Sequence, residues 1–403
     1  MQEAPLRVVP DEEEDRFARF RLIGWWDQGR LESAKALVIG AGALGNEILK
    51  NLALLGVGRV VVADLDRVER SNLARSVLFR EGDRGRPKAE VAAARMSEIH
   101  PSVRVRPFVG NAVTGIGLGV YEWADVVLAG LDNREARLAA NRACWLLGRP
   151  YVDGAIEALA GVARVFRGPE GACYECTMGE ADWRLVEERR SCALLGRDAI
   201  PERHVPTTPT SASVVAGVQC QEAVKHLHGL ETLRGSGFVF DGVAHESYRV
   251  AYTRSPSCAA HDVFERVEPL DGGAATTTVD RALAEARRLL GPGASLELPG
   301  DLVTSFRCAP CGTERRAMRR LELLREKDSL CPRCAAPMAP EIVSSLEGGE
   351  GLGAATLADA GLPPFDVIRC RAGERLAGLR LEADRGAALG ALGAGPPDGG
   401  RSA

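Results

Sequence analysis

Aromatic residues make up only 5% of this 403-residue chain, too few to line a stacking surface for single-stranded nucleic acid. No apolar run reaches the length of a membrane span, and the start MQEAPLRVVPDEEEDRF lacks the charged-then-apolar layout of a secretory signal. Excess positive charge is missing too. The formal net charge is -4, which argues against binding to nucleic acid or a membrane surface. Lysine is scarce beside arginine, so a lysine inside a motif stands out. What remains is a chain 45% hydrophobic and 26% charged, the composition of a globular protein with a sizeable core. It is long enough for two domains, or for one large domain with an appendage. The expected compartment is the cytoplasm.

Residues 11–30 read as a charged, amphipathic helix. From Lys35 the pattern runs strand, glycine turn, helix, strand: ALVIG, AGALGNEILKNLALLG, RVVVADL. Further helices at RPKAEVAAARMSEIH and REARLAANRACWLLG alternate with strands at SVRVRPFVG and ADVVLAG. Such alternation predicts an α/β fold with a Rossmann-like, doubly wound, mostly parallel sheet covered on both faces. PYVDGAIEALAGVARVF supplies two more strands, in which the sheet can turn antiparallel. A charged crossover precedes the helix SASVVAGVQCQEAVKHLHG, and GFVFDG and SYRVAYTR close the sheet. Near Asp262 the character changes to one amphipathic helix, DRALAEARRLLGPG, and two cysteine pairs around an arginine-rich segment.

Gly40, Gly42 and Gly45 fit G-x-G-x-x-G between a strand and a helix, where backbone approaches a phosphate at a helix N-terminus. Asp64 ends the next strand, at the place of a ribose-binding acid. The residues beyond it exceed what a hydride-transfer enzyme uses. Asn72, Arg75 and Lys88 are donors suited to the outer phosphates of ATP. Asp132 falls at the carboxyl end of a buried strand, where a carboxylate suits a Mg²⁺ that bridges phosphates. Together they describe a MgATP site without a Walker A lysine loop.

An acid at the strand end, then N-L-x-R, then G-x-P-K, then a strand ending in D-N resembles the ThiF/MoeB-type adenylyltransferases and the ubiquitin-activating enzymes on the same fold. The pattern occupies Asp64, Asn72 to Arg75, Gly85 to Lys88 and Asp132-Asn133. RFAR resembles the family's N-terminal arginine motif, with Arg19 as the arginine that enters a partner's site. The resemblance spans roughly residues 16–260. It implies a β-grasp substrate protein with a C-terminal glycine, ATP with Mg²⁺, an acyl-adenylate and a homodimer. The expected organisation is an N-terminal helical arm at 1–30, an adenylation domain at 31–262 with a crossover loop at 177–206, a zinc-ribbon-containing domain at 263–382 and a low-complexity, disordered tail at 383–403.

Eleven cysteines in a cytoplasmic chain are expected as ligands or nucleophiles rather than disulfides. Cys308-x2-Cys311 and Cys331-x2-Cys334 have zinc-ribbon spacing. Cys173-x2-Cys176 with Cys258-x2-His261 matches less closely, since a long stretch separates the pairs; the family often carries cysteine pairs at those places. Two closed, structural Zn²⁺ sites are therefore expected. Cys192 in EERRSCALLGRDAIP is flanked by Arg189, Arg190 and Arg197, a setting that lowers a thiol pKa. It lies in the crossover, where the resemblance places a catalytic cysteine that receives the acyl group as a thioester. Cys144 and Cys220 read as core packing. VIRCRAGERLAG resembles a rhodanese loop around Cys370, but alternation on both sides favours a β-hairpin.

The resulting expectation is an activating enzyme for a ubiquitin-like protein, which passes the acyl group to a conjugating enzyme with help from the ribbon. The style resembles bacterial enzymes associated with antiviral defence. The alternatives are a sulfur-carrier adenylyltransferase of thiamin, molybdopterin or cysteine synthesis, and an idle scaffold for a β-grasp partner. Intact Asp64, Arg75, Lys88 and Asp132 argue against the scaffold.

Overall fold

The computed structural model describes residues 15–191 and 205–393. After a short helix α1 (Gln28–Ser33), the first domain alternates strand and helix. Its order is β1 (Lys35–Ile39), α2 (Ala43–Leu55), β2 (Arg59–Asp64), α3 (Lys88–Ile99), β3 (Arg104–Val109), α4 (Ala112–Gly115), α5 (Leu118–Trp123), β4 (Val126–Ala129), α6 (Arg134–Leu146) and β5 (Tyr151–Glu157). Then come β6 (Ala160–Phe166), α7 (Glu180–Ser191), α8 (Pro209–Leu227), β7 (Ser236–Asp241) and β8 (Glu246–Ala251). The sheet runs β3-β2-β1-β4-β5-β6-β7-β8. Its first five strands are parallel and the last three antiparallel. The order reverses between β1 and β4, the point where open α/β sheets bind ligands.

Side chains alternate along β1 as a pleated strand requires. Ala36 and Val38 pack against Ile48 and Leu52 of α2 and against α3 and α8. Leu37 and Ile39 face the opposite layer, with Tyr121 and Trp123 of α5 and Leu138 of α6. Both faces are covered, which is why these strands are continuous apolar runs rather than alternating ones.

The second domain is richer than a ribbon with loops. It comprises β9 (Val267–Leu270), α9 (Val279–Leu290), β10 (Ser295–Arg307), β11 (Glu314–Arg320), β12 (Ala339–Leu346), β13 (Val367–Ala372) and β14 (Arg375–Leu381). The strand order is β11-β10-β13-β14-β9, with β12 also on β10. Helix α9 is amphipathic as its sequence predicts, burying Val279, Leu283, Ala286 and Leu290. Strands β10 and β11 escaped the sequence reading for two reasons. The β10 register shifts along two of its three partners, β11 and β12, and β11 presents the arginine-rich run ERRAMRR. Cys370 sits on β13 of a β13–β14 hairpin, fully buried, so no rhodanese-type loop surrounds it.

The domains interlock. Phe365 is 1% exposed and belongs to the apolar layer of α5 and α6. Its carbonyl oxygen would lie 2.4 Å from a Cβ at Gly119, so only glycine admits this approach. Asp366 accepts a hydrogen bond from the first amide of α5, Leu118 N, at 2.7 Å. Arg380 adds two contacts to Glu122, at 2.9 and 3.0 Å.

Two expected segments differ. Residues 15–27 of the arm form turns rather than a helix, with a single 3-10 turn at Phe20–Leu22. Gly24 interrupts the pattern, and Asp27 starts α1 instead by capping Arg30 N. Aromatic contacts hold this stretch: Phe17 meets His100 edge-on at 5.6 Å, and Phe20 meets Trp26 at 4.7 Å. At the other end, residues read as a disordered tail are ordered as far as 393. Helix α10 (Arg385–Leu389) and the turn Gly390–Gly393 place Leu389, at 0%, and Leu392, at 6% exposure, in the first domain's core. Low-complexity composition hid two leucines at helical spacing. Ending the chain at residue 381 should therefore cost about 3 kcal/mol, the burial of two leucines discounted for a compact unfolded state. Urea unfolding checks this; an unchanged midpoint would mean that these leucines contribute nothing.

Candidate adenylation site

At the mouth of the sheet, β1 turns into α2 through backbone packed on backbone. A Cβ at Gly45 would stand 1.9 Å from Gly40 O, and one at Gly40 would stand 2.5 Å from Gly130 O, just beyond β4. Gly40 also has φ +93°, the left-handed region that side chains avoid. At Gly42 the situation is opposite: a Cβ would meet nothing within 4 Å. Glycine there keeps the space above the first turn of α2 open, where unpaired helix amides attract an anion.

Asp64 and Lys88 stand beside this turn, and the segments carrying Asn72, Arg75 and Asp132 follow β2 and β4, the two strands that flank β1. Asp64, at the end of β2, accepts hydrogen bonds from Ala41 N at 2.7 Å and Asp66 N at 2.8 Å. Burial pushes its carboxyl above the ordinary value, opposed by the Ala41 amide and the Lys88 charge. Lys88 opens α3, is 8% exposed, and pairs with Asp66 at 2.8 Å. Its position is set by residues 85–88, which run back along Asp66 to Val68: Val68 N donates to Arg86 O and Lys88 N to Asp66 O. Asn72 is buried and accepts from Glu69 N at 2.9 Å, closing the turn that carries Arg75. Arg75 is half-buried, with Nη1 on Ser71 O at 2.8 Å. Asp132 is exposed just after β4, and Asn133 caps α6 through Ala136 N at 2.8 Å.

Three residues escaped the sequence reading. Asn46, wholly buried, bonds the glycine turn. Arg137 donates to Leu131 O and to Gly154 O, and faces buried Asp153 at 3.4 Å, which Arg164 also binds at 2.6 Å. Gln219 of α8 donates to Ala129 O and Val152 O, at 2.9 and 3.1 Å, tying β4 to β5. A polar residue amid an apolar helix face was the available signal for Asn46 and Gln219; Arg137 gave none, since helical arginines usually face water.

Arg19 stands apart from the other site residues. It is exposed, and its neighbours Arg16 and Phe17 rest on Ile99 O and against Gly56, past the C-terminal ends of α3 and α2. Those helices begin at the site, and α3 is about 18 Å long, so the stretch carrying Arg19 is anchored at the end of α3 away from Lys88. Cys192 lies outside the described residues. The other unpaired thiols are sealed: burial pushes Cys220 and Cys370 up to about 12 and Cys144 higher still. None of these three is a ready nucleophile.

Both expected metal clusters converge. The ligand atoms of Cys173, Cys176, Cys258 and His261 lie within 4.8 Å of one another, as do those of Cys308, Cys311, Cys331 and Cys334. Sulfur–sulfur separations are 3.6–3.7 Å in the first and 3.5–3.6 Å in the second. Tetrahedral bonds of 2.3 Å give edges of about 3.8 Å, so both sets fit Zn²⁺ held by four ligands. The first cluster hangs on α6. Arg142 grips Glu175, within the first Cys pair, at 2.6 and 2.8 Å, and Trp145 stacks on His261 at 4.4 Å.

Residues 14–260 match the ThiF family. The chain belongs to this family. It is 34% identical over 256 residues to the sulfur carrier protein adenylyltransferase of Thermus thermophilus, covering 61% of this chain and 90% of that one. With the SAMP-activating enzyme E1 of Haloferax volcanii it shares 35% over 250 residues, 60% and 87% of the two chains. The NEDD8-activating enzyme E1 catalytic subunit of Schizosaccharomyces pombe is 34% identical, covering 54% and 50%. The fold is that of E. coli MccB crystallised with ATP, at a TM-score of 0.52 and 21% identity over 62% of this chain and 75% of the other. This ThiF-family chain is thus an ATP-dependent adenylyltransferase.

The ThiF match ends at residue 260, so the Cys308 cluster belongs to the additional domain. Both zinc sets are closed by four protein ligands and would supply folding energy, not a reactive position. Metal analysis of purified protein should find about two zinc ions per chain. Cys308→Ser should remove one of them while ATP–pyrophosphate exchange persists; loss of exchange would show that the ribbon supports adenylation itself.

Proposed function

We propose that this adenylyltransferase activates the C-terminal glycine of a β-grasp, ubiquitin-like protein and then takes it onto Cys192 as a thioester. The carrier's carboxylate oxygen attacks the α-phosphorus of ATP; the bond to the β-phosphate breaks and pyrophosphate leaves. The Cys192 thiolate then attacks the acyl carbon, and AMP leaves. Both first-step reactants are anions, so approach requires neutralised phosphates. What supports this reading is the glycine turn at the sheet's switch point, with Asp64 bonded to it, Lys88 close enough to act on Asp64, and Asp132 just beyond the adjacent strand β4. Asp132 would hold Mg²⁺, which offsets charge on the phosphates, and Asp64 would take the ribose.

The thioester step rests on where the crossover begins and returns. Helix α7 is tied to the start of α6, beside Asp132, by Arg134–Asp182 at 2.8 Å. The chain returns at Pro206, whose carbonyl accepts from Ala158 N at 2.7 Å on the β5–β6 turn. Cys192 follows α7 directly and carries arginines on both sides. A conjugating enzyme would accept the acyl group, with the ribbon domain docking carrier or acceptor. Arg19, remote from its own chain's site, would complete the site of a second copy in a homodimer. The Thermus relative favours a second reading, sulfur-carrier activation, in which the same adenylate meets a sulfur donor and Cys192 is dispensable.

Asp132→Ala should lower carrier-dependent pyrophosphate–ATP exchange by about a hundredfold or more. Cys192→Ala should retain exchange and lose the reductant-sensitive carrier–enzyme adduct. An adduct that survives in Cys192→Ala would assign the thioester elsewhere, and the absence of any adduct in the unmodified enzyme would favour the sulfur-carrier reading.

A further inference from the structure

Asn46 is the residue after Gly45, on the first turn of α2, with 0% exposure. Every polar atom of its side chain is used. Nδ2 donates to Ala41 O at 2.6 Å and to Gly42 O at 3.1 Å, and Oδ1 accepts from Leu78 N at 2.9 Å. A buried amide is costly unless bonded in this way, so its position is sharply defined. One end holds the glycine turn. The other end holds the segment 72–79, which carries Asn72 and Arg75.

The two sides do not depend on Asn46 equally. The glycine turn has further ties: Ala41 N to Asp64 at 2.7 Å, and Gly40 N to Ala63 O at 2.8 Å. Segment 72–79 meets α2 through the Leu78 amide, and is steadied from α3 by Arg95 Nε on Leu78 O at 3.3 Å. Asn46 is therefore the hydrogen-bonded link from the turn that faces the inner phosphate to the loop that faces the outer ones.

We propose that Asn46 is a positioning residue: it fixes the distance between the glycine turn and Arg75, and so selects a nucleoside triphosphate over a monophosphate. This rests on the ATP-site reading above. AMP uses the turn and Asp64, which keep their other bonds without Asn46. The outer phosphates of ATP need Arg75 at the right distance, and without Asn46 the Leu78 amide loses its hydrogen bond to α2 and that distance is less tightly set. A residue serving only stability would weaken both ligands together.

The test is calorimetric binding of AMP, and of the non-hydrolysable analogue AMPCPP with Mg²⁺, to the full-length protein. Asn46→Leu keeps the volume and removes the hydrogen bonds; Asn46→Ser serves if the leucine variant does not fold. AMPCPP affinity should fall about tenfold, the scale of one buried hydrogen bond, and AMP affinity should stay within about twofold, below the scale of one such bond. The KM for pyrophosphate in exchange should rise in parallel. Equal loss for both ligands, or no loss for either, overturns the role of Asn46. If the unmodified protein binds neither ligand, the ATP-site reading fails instead.

Discussion

The close approach of Gly40, Gly45 and Gly130 is the constraint on which the rest depends. Contacts of 1.9 and 2.5 Å to a would-be Cβ leave no room for any side chain at Gly45 or Gly40. Because the backbones touch, the ends of β1 and β4 and the start of α2 meet at the sheet's switch point. The unpaired amides of α2 then open onto the same space as Asp64, from β2, and Asp132, from beyond β4. Gly42 keeps that space empty. Bulk at the two contact positions would separate the strands, and the acids at their ends would no longer converge.

Electrostatics explains why acids stand beside a lysine at this site. Asp64 fixes the glycine turn through Ala41 N and is held against burial by Lys88. Lys88 is paired with Asp66, so it is oriented rather than free to fold away. The second domain bears on the same site indirectly. Phe365, Asp366 and Arg380 grip α5, which leads into β4 and thence to Asp132. Glu175 and His261, in the cysteine–histidine cluster around Cys173, grip α6 on the other side of Asp132.

Much of this was legible in the sequence because it follows local rules. The glycine turn, the strand-end acids and the alternation of strand and helix are short-range patterns, and the spacing of Cys308, Cys311, Cys331 and Cys334 announces one ligand set. What escaped depends on long-range geometry. Asn46 matters through Leu78, Arg137 through Gly154, and Gln219 through β4 and β5, none of which is near in sequence. The strands β10 and β11 were masked by shifts of register and by charge. Leu389 and Leu392 were masked by the glycine and alanine around them, since composition cannot reveal the groove into which a chain end packs.

The central claim, that this site joins a carrier's C-terminal carboxylate to AMP, is tested most directly by intact-protein mass spectrometry. The purified enzyme would be incubated with MgATP and a β-grasp protein ending in glycine, with pyrophosphatase present to prevent reversal. The account predicts a carrier heavier by one adenylyl group, localised to its C-terminal residue, and no such product from a carrier lacking that glycine. An adenylyl group found on another residue, or attached equally well without the C-terminal glycine, would contradict it.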